Sequence, residues 1–137
     1  MDDLVNGLII FGLSIAVIGS LISAILHGLG FSIFGYKEIR PGYWKRWLMS
    51  LIAGIVATIV MYLMGSNVTL NPENMMSIII IYALIIVAIN HLSLSAVTYF
   101  LFDAKGNQGA ALKTPLLITG LMIAVYLIPS IWIASKM

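Results

Sequence analysis

The sequence predicts an all-α integral membrane protein: four hydrophobic helices arranged as a tandem duplication of one helical hairpin. Three observations predict it. The 137 residues are 61% hydrophobic and only 9% charged, with a mean hydropathy of +1.09, whereas a soluble domain carries about 25% charge. The charges are gathered into short linkers, which leaves four uncharged runs at Leu4–Tyr36, Trp47–Pro72, Asn74–Phe102 and Thr114–Ser135. The second half then echoes the first at a fixed offset. A chain of this composition cannot cover its surface with polar groups, so most of that surface must meet lipid or other copies of the chain.

Each run is long enough to cross a membrane, which takes about 20 apolar residues. The first covers 33 residues. As one helix it would measure about 50 Å, against about 30 Å of hydrocarbon. It must therefore tilt, break near Gly28-Leu29-Gly30, or lie outside a flat bilayer. Asp2 and Asp3 precede it, and an acidic start with so long an apolar run is not the pattern of a cleaved signal peptide. The next linker, Lys37–Arg46, sets Lys37, Arg40, Lys45 and Arg46 against Glu38, for +3. Tyr36, Tyr43, Trp44 and Trp47 crowd it, as interface anchors do. The Ser66–Asn74 turn carries Glu73. The linker Asp103–Lys113 sets Lys105 and Lys113 against Asp103, for +1. The positive-inside rule then places both basic linkers in the cytoplasm and both termini outside.

The repeat appears when the chain is slid by 64 residues. His27 falls on His91, Gly42 on Gly106, Tyr62-Leu63 on Tyr126-Leu127 and Ser66 on Ser130. A single domain made of two hairpins, residues 4–66 and 74–136, accounts for the match, and two hairpins in one orientation imply a pseudo-twofold axis along the membrane normal.

Small residues recur every fourth position in the first run, at Gly12, Ala16, Ser20, Ala24, Gly28 and Ser32. They share one helix face, and such ridges let helix backbones approach closely in lipid. The ridge serves packing within the chain or between subunits. His27 and His91 are the only histidines. If helices one and three run in parallel, the two rings face each other at one depth, where they would ligate a b-type haem; alternatively each ring bonds a nearby carbonyl or a hydroxyl such as Ser23 or Ser93. The basic linkers meet lipid phosphates, or form a positive surface for a polyanion. There is no cysteine, no charge within any run, no paired carboxylate and no nucleophile-and-base arrangement. Those absences argue against an enzyme or a coupled transporter. A self-assembling subunit or a cofactor-holding membrane subunit remains.

The stretch "LSIAVIGSLISAILHGLGFSIFG", a basic loop and "LMSLIAGIVATIVMYLMGS" lie within residues 8–66. This pattern resembles the pilins of conjugative type IV secretion systems and their archaeal DNA-import relatives. The resemblance implies a helical pilus drawn from the membrane, with phospholipid bound to its subunits and no covalent cofactor. It implies that Lys37, Arg40, Lys45 and Arg46 face the lumen, with Lys105 and Lys113 in an equivalent second loop. The ridge Gly12, Ala16, Ser20, Ala24 and Gly28 would be subunit packing. The partners would be copies of the chain, membrane lipid and DNA in transit.

Overall fold

A computed structural model describes residues 2–65, 71–101 and 106–137. These residues form helices and turns, with no strand among them. Helix α1 is Asp2–Ile33, α2 is Tyr43–Gly65 and α3 is Met75–Leu101. The last span is built in pieces: α4 (Gln108–Lys113), α5 (Leu116–Met122), a π-helical turn (Ile123–Leu127) and α6 (Ile128–Lys136). Four helices are long and apolar enough to cross a membrane. Their surfaces agree with that reading, because large apolar side chains such as Ile59, Leu63, Ile81 and Trp132 are exposed.

The end of α1 is set by Gly35. Its φ of +84° is a conformation that costs glycine nothing. It lets Tyr36 N–H donate to the Phe31 carbonyl at 2.7 Å and Gly35 N–H to the Ser32 carbonyl at 3.5 Å, the double closure that satisfies orphan carbonyls at a helix end. Upstream, α1 passes unbroken through Gly28-Leu29-Gly30. Of the three ways to accommodate its length, a break there is therefore not the one taken.

The first basic linker is shorter than the sequence suggested. A 3-10 turn occupies Lys37–Ile39, and α2 opens at Tyr43, directly after Pro41-Gly42. Arg46 N–H donates to the Gly42 carbonyl at 3.0 Å. Lys45 and Arg46 thus belong to the first turn of a spanning helix rather than to a loop, which also places charges inside a predicted span.

The helices form a ring. α1 packs on α2, α2 on α3, α3 on the pieces of the last span, and α5 closes back on α1. Met49, Ala53, Leu94, Val97 and Ile118 form the core, with Leu26, Ile52 and Met122 against it. All of this lies toward the end that carries the basic linker. The two hairpins are not copies of each other. Gly106 takes a positive φ of 85° while Gly42 does not, so the matched glycines do different work. The second helix of hairpin one is continuous, whereas its counterpart breaks at Thr114-Pro115 and again at the π turn. Proline explains both breaks. Pro115 has no N–H to donate, and the ring of Pro129 would press on the carbonyl four residues back unless the turn before it widened.

Candidate functional site: a polar cluster at the basic end

Four helix segments bring polar side chains together inside the packed end. His27, on α1, is fully buried. Its Nε2 lies 3.0 Å from Thr114 Oγ1, and its ring sits 5.0 Å from that of Phe31. His91, on α3, is half-buried, with Nδ1 2.6 Å from Thr119 Oγ1. Thr119 gives its own proton to the Pro115 carbonyl at 3.1 Å, which assigns His91 Nδ1–H as the donor to Thr119. Both histidines are therefore spent on hydroxyls of the last span, one on either side of Pro115.

The partners are of the kind expected, but Thr114 and Thr119 take the places that Ser23 and Ser93 were expected to fill. Depth arithmetic finds them. His27 lies six residues before the end of α1, and Thr114 lies six residues after the start of α4. His91 lies ten residues before the end of α3, and Thr119 eleven after the start of α4. In antiparallel neighbours equal counts mean equal depth, at about 1.5 Å per residue. The same counts correct the expectation that the two rings share one depth. Their partners are five residues apart, about 7 Å along a helix.

Close backbone approach makes the cluster possible. A Cβ on Gly30 would lie 2.1 Å from the Thr114 carbonyl oxygen, so α1 and the last span meet backbone to backbone. At Gly28 the guanidinium of Arg46 lies where a side chain would begin. Arg46 is half-buried, stacks over the Tyr43 ring at 5.7 Å, and forms no ion pair among the described residues. Its Nε is buried without a hydrogen bond, as are His27 Nδ1, Trp47 Nε1 and Ser50 Oγ. Tyr43 in turn donates to the Leu21 carbonyl at 3.2 Å, fastening α2 to α1.

The other residues singled out from the sequence divide clearly. Lys37, Arg40 and Lys45 are exposed around the turn, with Arg40 Nη1 donating to Ser32 Oγ at 3.1 Å. Lys113 is exposed at the end of α4, and Lys105 lies outside the described residues. Arg46 turns inward instead, which separates it from the positive surface assigned to it. Along the ridge, Ser20, Ala24 and Gly28 are buried within the chain and Ala16 is exposed, while Gly12 is a residue of α1 whose surroundings are not described. No group of three or more metal-ligating side chains occurs among the described residues. The arrangement can tie helices together and present positive charge at one end. Set against known protein families, curated proteins and solved structures, the chain matches none.

Proposed function

We propose that this chain is a non-catalytic, self-assembling structural subunit drawn from the membrane, and in particular a pilus subunit for conjugation or DNA transfer. One observation carries the reading. From Ser14 to Gly19, every described residue of α1 is exposed, so this stretch of apolar helix has no partner in its own chain. Yet it continues the same ridge of small residues that packs α1 tightly further on. Lipid gains nothing from a smooth ridge, whereas a neighbouring helix does. The length of α1 supports the same view, because 32 residues make about 48 Å of helix, more than a bilayer core of about 30 Å covers.

In this reading copies of the chain cover the α1 arm. Phospholipid fills the remaining apolar surface, with its phosphates at the basic end. Lys37, Arg40 and Lys45 present positive charge to a passing polyanion. Both termini lie outside before assembly.

Electron microscopy and peptide mass spectrometry of the extracellular fraction sheared from native cells test it. Thin filaments with this chain as their main component are expected. A chain found wholly in the membrane fraction overturns the pilus reading. The absence of cysteine makes the topology simple to test. A single cysteine at Lys136 should react with an impermeant reagent on intact cells, and one at Lys37 should not.

A further inference from the structure

Helices α3 and α4 enclose an open groove of about 300 Å³, lined by Leu92, Ser95, Ala96, Tyr99, Gln108 and Leu112 among others. It is separate from the His27 cluster. Its walls are mainly apolar, but one polar atom in them is unusual. Ser95 is buried, and its Oγ has no hydrogen-bond partner. Other helix hydroxyls here give their proton to a carbonyl three or four residues back: Thr98 to Leu94 at 2.6 Å, Ser130 to Tyr126 at 2.6 Å, Thr58 to Gly54 at 2.7 Å. Ser95 does not, although that local bond is open to any helical serine. A buried hydroxyl left unbonded is costly, and this one lines a cavity.

The place of the groove says what would fill it. Ser95 lies six residues before the end of α3, about 9 Å in from that end. Gln108 is the first residue of α4. The groove thus runs inward from the ends of two spanning helices, where hydrocarbon gives way to headgroups. The linkage between glycerol and acyl chain lies at that boundary, and its carbonyl is an acceptor beside an otherwise apolar chain. Ligand sites range from about 300 to 1,000 Å³, so this one suits a chain segment and its linkage rather than a whole lipid.

We propose that this groove holds one chain of a membrane glycerolipid, with the ester carbonyl of that chain accepting a hydrogen bond from Ser95 Oγ. The chain lies along Leu92, Ala96 and Leu112, and Gln108 and Tyr99 flank the opening. The proposal does not depend on self-assembly, because the groove lies within one chain.

Photolabelling tests it. The full chain is reconstituted in phosphatidylcholine vesicles that hold a trace of phosphatidylcholine with a diazirine near the carboxyl end of one chain. After irradiation, labelled peptides are mapped by mass spectrometry. Labelling of Leu92–Leu112 should exceed, severalfold, that of Ile55 and Ile59 on the exposed face of α2. Ala96→Trp, which fills the groove, should bring it down to the α2 level, and Ser95→Ala should lower it partway. Ile55 and Ile59 report whether each variant keeps its fold. If their labelling changes in Ala96→Trp, Leu112→Trp fills the groove from the α4 side and decides. A free fatty acid bearing the same diazirine should show no preference for the groove. Equal labelling of groove and α2 in the native chain, or a preference untouched by the tryptophan variants, overturns the proposal. Equal preference for the free fatty acid overturns the ester assignment.

Discussion

The two ends of this bundle are built from the same kinds of residue and are packed very differently. At the basic end Ser20, Ala24, His27, Gly28 and Phe31 of α1 are buried against Met49, Ser50 and Ala53 of α2 and against α5. At the other end Ser14–Gly19 of α1, Tyr62–Met64 of α2 and Ile123–Tyr126 of the last span are exposed in every described position. Composition does not separate the ends, since leucine, isoleucine and small residues fill both. What separates them is polar and glycine chemistry. The packed end holds the histidine–threonine pair, the inward arginine and the glycines that allow close approach. In lipid, helices do not associate to escape water, so contact must come from shape and hydrogen bonds. Where those are lacking, the helices stay apart and await lipid or another chain.

That contrast can be broken at Gly30, where the largest effect is expected. Gly30→Ala places a methyl group 2.1 Å from a backbone oxygen, so α1 and the last span must separate. A loss of about 3 kcal/mol is expected, measured by denaturant titration in micelles. His27→Ala comes next. It leaves a gap and strands the Thr114 hydroxyl, at a cost of about 2 kcal/mol. His91→Ala, half-buried, should cost about 1 kcal/mol. The reverse order would show that the second tether, not the first, holds the last span.

Ala16→Leu sharpens the comparison from the open side. Because Ala16 is exposed, bundle stability should change by less than about 0.5 kcal/mol, while assembly is lost. Ser20→Leu, four residues on and buried, should instead weaken the bundle itself. If Ala16→Leu assembles normally, the arm is covered by lipid alone. The smallest effect is expected at Gly19, where a Cβ meets nothing within 4 Å. Gly19→Ala should stabilise the isolated chain by up to about 1 kcal/mol.

The four spans and the crowd of aromatic residues at the first linker were legible in the sequence, since charge spacing and run length depend only on local composition. The small ridge was legible too, but not its division at about Ser20, because a period of four is identical on both sides and only the neighbours differ. Treating Lys45 and Arg46 as loop residues followed the charges. The helix follows Pro41-Gly42 instead, since the backbone stop acts before the side chains do. The 64-residue match of histidines and glycines suggested equivalent hairpins. Pro115 and Pro129 have no counterparts at that offset, and they reshape the second hairpin. Thr114 and Thr119 were hidden because they pair with residues distant in the chain, although matching depths would have located them.

The break at Pro115 has a mechanical consequence. The piece of the last span before it is held by α1 through Thr114 and Gly30, and the piece after it by α3 through Thr119. A pull on the free arm of α1 therefore loads α4 first. It reaches α5 and α6 only across a joint where proline has removed a helical hydrogen bond. The span works as two links in series rather than one rod, so its distal link can stay anchored to α3 while its proximal link follows α1.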